Sequence, residues 1–428
     1  MDESALRALA DERIDWRYKG FPARFDGLTV GRLIEARPPL AEFGTPLLVL
    51  EAGALDHNLS LMAQYCAAHG VDLAPHGKTT MAPQLFARQL DSGAWAITAA
   101  TIAHVRAYRA FGVDTIVLAN QLVDADSLGW VAGELRRSAR FRLLCFADSV
   151  AGVERMQAAL AAADAPRPID VVIDIGASGG RTGCRDAETA ETVARAIRPS
   201  DRLRLAGVGG FEGALAADRS AQGLARVRGY LRTLRDIATR LDTAGLFDQV
   251  DEIIVTAGGS AYFDDVVEIL TGDWRTSLPV RTLLRSGAYI THDDGHYRRL
   301  TPLPQSEPSS HAAGGFRAAL SIRGRVLSMP EPGLALLDFG KRDAPIDLGM
   351  PEPHTVHRPD GTTDQLTDCS VKALADQHAF LAYGDGTRLS IGDVVACGIS
   401  HPCTAFDKWQ LIAIVEGGHV VDVIRTFF

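Results

Sequence analysis

The sequence lacks several features that mark common classes of protein. No stretch approaches the ~20 uncharged apolar residues that a membrane-spanning helix needs, so no such helix is expected. The formal net charge is −9 and no dense run of lysine and arginine occurs, which argues against nucleic acid as the main partner. The first 20 residues are charged and lack the apolar core of a signal peptide. These absences predict a cytoplasmic enzyme that binds neither membrane nor nucleic acid.

Cysteine and lysine are both scarce. The six cysteines are scattered and form no CxxC pair, so free thiols in a reducing compartment are expected. Lysine accounts for five of the 44 basic residues. One of the five, Lys78, closely follows the apolar run at residues 71–76 and stands beside a histidine and a glycine. Burial and nearby positive charge at such a place would favour the neutral amine, which can attack an aldehyde.

Residues 41–300 repeat a pattern of short apolar runs and helical stretches rich in alanine, arginine and leucine. The runs are continuous rather than alternating, which is typical of parallel strands that helices cover on both faces. Eight such units over roughly 250 residues predict a (β/α)₈ barrel of the TIM type, if the first run, at residues 46–50, is a lead-in. No GxGxxG motif occurs, which disfavours an open doubly wound sheet. The eight strands are predicted at residues 71–76, 94–100, 114–120, 141–147, 169–176, 203–211, 252–259 and 281–290.

The pattern of the chain changes after residue 300. Residues 301–316 are rich in proline, serine and glycine, which indicates a linker. Short alternating runs with turn residues between them follow, so residues 301–428 are predicted to form a β-rich second domain. Residues 1–40 are an N-terminal segment that could pack with this domain.

In a (β/α)₈ barrel the active residues lie just past the carboxyl ends of the strands, and several candidates occupy such positions. Lys78 follows the first predicted strand, with His76 two residues before it. In an extended strand the two side chains would share one face. A salt-bridged lysine at the barrel rim and a hydrogen-bonded core histidine are the plain structural alternatives.

Two glycine loops follow the last two predicted strands. The first contains Gly258, Gly259 and Ser260, and the second begins at Gly287. Glycine lets backbone amides approach a ligand closely, and barrels often build a phosphate site from their last two strands. A simple strand-to-helix turn is the alternative for either loop taken alone.

Arg181 lies in the sequence GGRTG, just past another predicted strand. A surface arginine is the common case, whereas the functional interpretation is a fixed cation that donates to an anionic oxygen of a cofactor or substrate. A lysine that traps an aldehyde, a phosphate cradle and a cationic donor together describe a site for pyridoxal 5′-phosphate (PLP).

His401 and Cys403 form a short H-x-C motif near the C-terminus. In an extended chain both side chains would point to the same face, and an imidazole with a thiolate favours zinc over magnesium or calcium. A catalytic zinc usually has three protein ligands and an open position, and only two are found here. A loop histidine without a metal is the alternative.

The motifs PHGKTTMAP, GGRTG, TAGGS, RSGAYITHDD and SHPCTAFDKW, in this order, resemble the D-serine dehydratase and D-threonine aldolase family. This family consists of fold-type III PLP enzymes related to alanine racemase, and the resemblance runs from about residue 40 to the C-terminus. It implies that Lys78 forms the Schiff base with PLP and that Arg181 lies near the phenolic oxygen of the cofactor. It also implies that His401 and Cys403 hold a divalent metal. The remaining residues of the implied cofactor site are His76, Phe211, Gly258, Gly259, Ser260, Gly287, Ala288 and Tyr289.

One position departs from the family pattern. Many relatives read Tyr-Glu-Gly where this chain reads Phe211-Glu212-Gly213. If that tyrosine meets the pyridine nitrogen of the cofactor, Phe211 cannot donate the same hydrogen bond.

The resemblance implies a PLP-dependent, metal-assisted β-elimination that converts D-serine, or a similar D-β-hydroxy amino acid, to a 2-oxo acid and ammonia. An aldolase acting on D-threonine or 3-hydroxy-D-aspartate is the alternative within the fold. Cys403 favours the dehydratase, because the aldolases tend to have a carboxylate there. A non-catalytic PLP-binding protein, usually a barrel alone, and a barrel enzyme that uses Lys78 on a sugar aldehyde are alternatives of other classes. The family also implies a homodimer.

Overall fold

The computed structural model describes residues 1–303 and 314–428, and the chain forms two compact units within these ranges. One unit comprises Met62–Lys78 and Gln89–Gly287 together with Met1. The other comprises Asp2–Leu61, Thr79–Arg88 and Ala288–Phe428. The second unit therefore includes two stretches that the sequence pattern assigns to the barrel, residues 41–61 and 79–88. Residues 304–313, the greater part of the predicted linker, lie outside the described residues.

The strands are numbered in chain order. They are β1 (Leu47–Glu51), β2 (Asp72–Leu73), β3 (Ile97–Ala99), β4 (Thr115–Gln121), β5 (Arg142–Ala147), β6 (Ile169–Ile175), β7 (Leu203–Gly210), β8 (Ile253–Ala257), β9 (Val280–Leu284), β10 (Leu320–Glu331), β11 (Leu334–Leu337), β12 (Glu352–His357), β13 (Thr363–Gln365), β14 (Cys369–Leu374), β15 (Ala379–Tyr383), β16 (Val394–Gly398), β17 (Leu411–Glu416) and β18 (His419–Arg425).

The helices are numbered in the same way. They are α1 (Glu3–Ala8), α2 (Val30–Ala36), α3 (Ala52–His69), α4 (Pro83–Asp91), α5 (Ile102–Ala110), α6 (Ala125–Arg137), α7 (Val150–Ala162), α8 (Ala187–Ile197), α9 (Ala221–Thr243), α10 (Phe263–Leu270) and α11 (His296–Leu300). None of these helices combines the length and the apolar character that crossing a lipid bilayer requires.

Eight parallel strands form the sheet of the first unit, in the order β2-β9-β8-β7-β6-β5-β4-β3. Backbone hydrogen bonds bridge its two edges. The Trp95 amide donates to the Leu73 carbonyl (2.7 Å), the Thr98 amide donates to the Pro75 carbonyl (2.8 Å), and His76 pairs with Thr98. The sheet thus closes on itself, and the predicted (β/α)₈ architecture is confirmed.

The barrel strands are apolar because they are covered on both faces. Every residue of β6 is buried. One of them, Asp170, receives hydrogen bonds of 2.7 Å from Nε of Arg142 and from Nε of Arg204, so this buried charge is paired. A contiguous apolar cluster draws on strands around the closed sheet and fills its interior: Ala74, Ala96, Val117, Leu144, Phe146, Val172, Ile254 and Leu283.

The barrel helices begin at side chains that cap their first turns. Helices α5 to α9 each have a cap whose oxygen accepts an amide hydrogen bond: Thr101, Asp124, Ser149, Asp186 and Ser220. The caps end the loops that leave the carboxyl ends of the strands. This is the end at which a barrel carries its functional site.

The second unit is built on a largely antiparallel sheet, which confirms the β-rich C-terminal prediction. Its main path is β13-β12-β16-β10-β1-β17-β18, and β11, β14 and β15 extend from β10. Strand β1 pairs antiparallel with β10 and parallel with β17. The first apolar run of the sequence therefore belongs to this sheet and is a lead-in to the barrel, as the count of eight barrel strands requires.

The N-terminal residues 2–40 also belong to the second unit. Phe21 and Leu33 lie in one buried apolar cluster with Val49, Leu411 and Val423. The segment buries these side chains against β1, β17 and β18, and its apolar residues are stabilised by that burial.

Candidate active site

Lys78 lies on a tight turn just after the first barrel strand. Strand β2 ends at Leu73, and a 3₁₀ turn at Gly77–Thr79 follows, so His76 and Lys78 are not on one extended strand. A Cβ at Gly77 would lie 2.6 Å from the hydroxyl oxygen of Tyr108 and 2.9 Å from Cγ2 of Ile97. The glycine therefore lets the turn pack against buried Tyr108, and this packing sets the position of Lys78.

A cavity of about 320 Å³ opens at the carboxyl ends of the barrel strands, a size suited to a small ligand. It is lined by six of the predicted site residues: His76, Lys78, Arg181, Phe211, Gly258 and Gly259. Ser260 and Gly287 belong to the same unit but are not among the lining residues. Ala288 and Tyr289 belong to the second unit, where they lie in a buried 3₁₀ turn that ends at Ile290.

Arg285 is a buried cation that lines this cavity, and it is not among the predicted site residues although the motif RSGAYITHDD begins with it. Its side chain follows β9 and the residue is 5% exposed. Nη1 donates to the hydroxyl of Thr256 (2.6 Å) and Nη2 donates to the carbonyl of Gly210 (2.5 Å). The guanidinium carbon lies 5.4 Å from the ring centroid of Phe146.

No carboxylate oxygen of the described residues lies within 4.0 Å of the Arg285 guanidinium. Burial lowers the pKa of Arg285, and the neighbouring Glu212, Tyr230 and Asp174 act on it in the opposite direction. A buried charge without an ion pair is costly. The cavity is therefore suited to a ligand that brings negative charge or hydrogen-bond acceptors to Arg285.

His76 supplies a second unsatisfied group. It lines the cavity, and its buried Nδ1 has no hydrogen-bond partner within residues 1–303 and 314–428. Burial holds the pKa of His76 well below its usual range, and the positive charges of Lys78, Arg285 and His104 add to this effect. The imidazole is therefore neutral, and its free ring nitrogen can meet a ligand.

Two carboxylates lie near the cavity, and both are held by the protein. Asp174 lines the cavity, and its Oδ2 accepts a hydrogen bond from Nε2 of Gln121 (2.9 Å). Burial raises the pKa of Asp174. Glu212 is fully buried and accepts the amides of Gly258 and Gly259. The two amides that the glycine motif predicts for a phosphate thus donate to Glu212 instead, a residue for which the motif predicts no role.

Arg181 and Phe211 lie on neighbouring loops at the cavity. The guanidinium carbon of Arg181 is 5.3 Å from the ring centroid of Phe211, a cation–π arrangement. Phe211 is 42% exposed. The loop of Arg181 is tied together by Arg185, which donates to the carbonyls of Thr182 (2.9 Å) and Gly183 (2.7 Å). The predicted cation therefore stands beside the ring that replaces the family's tyrosine.

His401 and Cys403 come together in the second unit. Residues Pro402–Thr404 form a 3₁₀ turn rather than an extended segment, so alternation along a strand is not what joins the pair. The turn nevertheless keeps the two side chains close enough for the Cys403 thiol to raise the pKa of the His401 imidazole. Sγ of Cys403 also lies 3.6 Å from Oγ1 of Thr79, the residue that follows Lys78 in the chain.

Asp347 holds the histidine of this pair. Its Oδ2 lies 2.7 Å from Nδ1 of His401, and its Oδ1 accepts a hydrogen bond from the Thr404 hydroxyl (2.9 Å). A carboxylate on one ring nitrogen orients the other nitrogen for a metal. No pattern in the sequence pointed to Asp347, which is 54 residues from His401.

The groups around His401 favour the protonated, positively charged form of its ring. Burial would lower the pKa of His401, but Cys403 and Asp347 together raise it to about 9. Within the described residues no group of three or more His, Cys, Asp and Glu side chains is arranged to hold a metal ion. An imidazole and a thiol are nevertheless a donor set that suits zinc, with its other positions left to solvent or substrate.

Two family models match this chain. The model described as "Alanine racemase, N-terminal domain" matches residues 50–270, more than half of the chain. The chain belongs to this family. The model described as "Putative serine dehydratase domain" matches residues 319–415, which include His401 and Cys403. The family resemblance inferred from the motifs is confirmed, and the fold is that of the fold-type III PLP enzymes.

Relatives with assigned activities match over most of their length. The chain is 25% identical to a D-threonine aldolase of Arthrobacter sp over 387 residues, which cover 90% of this chain and 92% of the relative. It is 25% identical to a 3-hydroxy-D-aspartate aldolase of Paracoccus denitrificans (strain Pd 1222) over 332 residues, or 76% and 80% of the two chains. Among solved structures, D-threo-3-hydroxyaspartate dehydratase from Delftia sp. HT23 shares the fold with a TM-score of 0.70. It is 20% identical, and the match covers 91% of this chain and 99% of that one.

The residues at the barrel cavity fit PLP, the cofactor of this alanine racemase-like family. Lys78 offers the amine, His76 offers an unsatisfied ring nitrogen, and Arg285 offers a buried cation. Gly210 lets the wall of the cavity pack against Tyr230, since a Cβ at this position would lie 1.7 Å from the Tyr230 hydroxyl. The donors and the space thus match a small, anionic aldehyde cofactor.

Proposed function

We propose that the protein is a PLP-dependent, metal-assisted lyase that dehydrates D-serine, or a similar D-β-hydroxy amino acid, to a 2-oxo acid and ammonia. The observation that carries the proposal is Lys78, which lines the barrel cavity together with Arg285 and the unsatisfied His76. The substrate class is supported by the two aldolase relatives, which are named for D-threonine and 3-hydroxy-D-aspartate, both D-β-hydroxy amino acids.

The barrel residues supply the proton transfer and the charge. PLP, when bound, withdraws electrons from the bond that breaks at the α-carbon of an amino acid. Nζ of Lys78 is the base that takes the α-proton of the substrate. Arg285, buried and without a carboxylate partner within 4.0 Å among the described residues, stabilises negative charge that develops in the cavity.

The leaving group calls for a second aid, because hydroxide departs poorly from carbon. A divalent metal held by His401 and Cys403, zinc by the softness of these donors, would act there as a Lewis acid on the β-hydroxyl. Asp347 orients the imidazole through Nδ1. Lys78 takes the α-proton and passes it to the departing β-hydroxyl, which leaves as water. The released enamine then takes up water and gives the 2-oxo acid and ammonia. The match of residues 319–415 to a serine dehydratase domain supports this outcome.

A second candidate is the aldolase reaction, which is supported by the names of the D-threonine aldolase and 3-hydroxy-D-aspartate aldolase relatives. The same residues would act, but a base would remove the proton of the β-hydroxyl and the bond between the α- and β-carbons would break. D-Threonine would then give glycine and acetaldehyde. Cys403 favours elimination, because the family resemblance implies a carboxylate at this position in the aldolases.

A product assay separates the two reactions. The purified protein, loaded with PLP and zinc, is given D-serine, D-threonine or L-serine, with and without a chelator. Pyruvate and ammonia from D-serine alone would support the dehydratase, and glycine with acetaldehyde from D-threonine would support the aldolase. Neither product from any D-β-hydroxy amino acid would refute both. Borohydride reduction followed by peptide mapping should find the cofactor on Lys78, and a label elsewhere would contradict the assignment.

Two variants complete this assay. Lys78→Ala should abolish product formation, because the base and the attachment point are both lost. Lys372→Ala is the matched control, since Lys372 is exposed on β14. Equal activity of Lys78→Ala and the control would overturn the proposed role of Lys78.

We further propose that the enzyme is a homodimer, the state that the family resemblance implies. In the second unit, Ile346 and Leu348 flank Asp347 and are each 37% exposed, and exposed apolar residues favour contact with a partner. Light scattering on the purified protein should give twice the chain mass of 45.9 kDa. A single-chain mass at micromolar concentration would contradict the proposal.

A further inference from the structure

Glu212 holds the turn that follows β8. It lies on the loop after β7 and is 0% exposed. Its Oε2 accepts the amide of Gly258 (2.9 Å), and its Oε1 accepts the amide of Gly259 (2.6 Å). Two consecutive amides thus converge on one carboxylate, as they do where a loop receives an anion.

The carbonyl groups of the same turn are also engaged. The hydroxyl of Ser286 donates toward the carbonyls of Gly258 (3.3 Å) and Gly259 (3.1 Å), and the amide of Arg285 donates to the Gly258 carbonyl (3.2 Å). All four backbone polar groups of the two glycines therefore have partners on the loops after β7 and β9. The turn is held from both sides in one conformation.

The conformation of the turn calls for glycine at position 258, and position 259 is tightly packed. Gly258 has a φ of +98°, a conformation that residues with a side chain rarely adopt. A Cβ at Gly259 would lie 3.0 Å from Cε2 of Phe211 and 3.3 Å from Oε1 of Glu212. Phe211 and Glu212 therefore pack closely against the turn. This packing sets the direction in which the chain continues to Ser260.

We propose that Glu212 is a positioning residue that fixes the glycine turn at 258 and 259, which lines the cavity, so that the chain leaving this turn can receive the phosphate of PLP. The inference rests on the proposed function, because it takes PLP as the cofactor. The carboxylate does not itself meet the phosphate, since two anions repel each other. The hydrogen bonds from the amides of Gly258 and Gly259 instead stabilise its negative charge.

The test compares two ligands that differ only in the phosphate. PLP and pyridoxal share the ring and the aldehyde, and the binding of each can be followed by its absorbance change. In Glu212→Gln, an NH₂ group replaces one of the two carboxylate oxygens. One glycine amide then faces another hydrogen-bond donor and loses its acceptor. We expect the affinity for PLP to fall roughly tenfold or more, with the affinity for pyridoxal within about threefold of wild type. Glu154→Gln, on the exposed face of α7, is the matched control and should change neither.

A second variant protects the test against a folding failure. Ser286→Ala removes the hydroxyl that serves the carbonyls of the turn, so it should show the same selective loss for PLP to a smaller extent. Equal losses for PLP and pyridoxal, or no loss in either variant, would overturn the inference. A gain in PLP affinity in Glu212→Gln would also overturn it, because it would show that the carboxylate competes with the phosphate for these amides. A wild-type protein that binds neither ligand would instead refute the proposed function.

Discussion

Replacing Gly77 with alanine tests whether packing beneath the turn at Gly77–Thr79 sets the position of Lys78. The added Cβ would lie 2.6 Å from the hydroxyl oxygen of Tyr108, 2.8 Å from its Cζ and 2.9 Å from Cγ2 of Ile97. Tyr108 and Ile97 are both fully buried, so neither can move aside into solvent. The turn itself must therefore shift.

The magnitude follows from the overlap. Forcing an extra methyl group into a packed core costs about 1–3 kcal/mol of unfolding free energy. A displacement of ~1 Å at a reacting group can lower the rate on the order of 100-fold. We therefore expect Gly77→Ala to lose stability in that range and to lose most of its turnover with the substrate that the product assay identifies.

Two quantities are measured for each variant: the unfolding free energy from urea denaturation and the initial rate of product formation. Gly229→Ala is the matched control, because Gly229 is an exposed position inside α9 with no atom within 4 Å of an added Cβ. That change should raise the unfolding free energy by roughly 0.5–1 kcal/mol and leave the rate unchanged. Adding Tyr108→Phe to Gly77→Ala removes the shortest contact and should restore part of the loss. A Gly77→Ala protein with wild-type stability and rate would refute the argument.

Three further changes test other parts of the site. Arg285→Met should weaken PLP binding roughly 10- to 100-fold, because a buried charged donor is lost, and an unchanged absorbance titration would contradict this. Cys403→Ala should remove bound zinc, measured by elemental analysis, and abolish turnover without changing the PLP spectrum; full activity would rule out the metal's role. Burial raises the pKa of Asp293 from 3.8 to about 7. Between these two pH values the folded state retains a proton that the unfolded state releases, so the unfolding free energy falls as the pH rises from 3.8 to about 7. Asp293→Asn should flatten that fall in urea unfolding between pH 5 and 8, and an unchanged slope would contradict the assignment.

The local sequence patterns were sufficient for the barrel because its strands are buried on both faces. Continuous apolar runs such as residues 143–147 are typical of a covered parallel sheet, and the spacing between successive runs leaves room for one helix each. Lys78 could be singled out in the same way, since it follows such a run in a chain that is poor in lysine.

Other features were hidden from local patterns. The run at Leu47–Glu51 has the composition of a barrel strand. It nevertheless pairs with β10 and β17, two strands that lie hundreds of residues further along the chain. Strand β2 is shorter than its apolar run, because the chain turns at Gly77 to pack on Tyr108. Such pairings are decided by long-range packing rather than by neighbouring residues.

The sequence by itself determined the repeating strand and helix pattern, the lysine at a strand end and the histidine and cysteine of the C-terminal motif, because each depends on residues close together in the chain. Only the tertiary structure decided the partners of Arg285, the hydrogen bonds of Glu212 to the glycine turn and the contact of Asp347 with His401. Each of these contacts joins separate loops, and the burial that gives it energetic weight exists only once those loops have folded together.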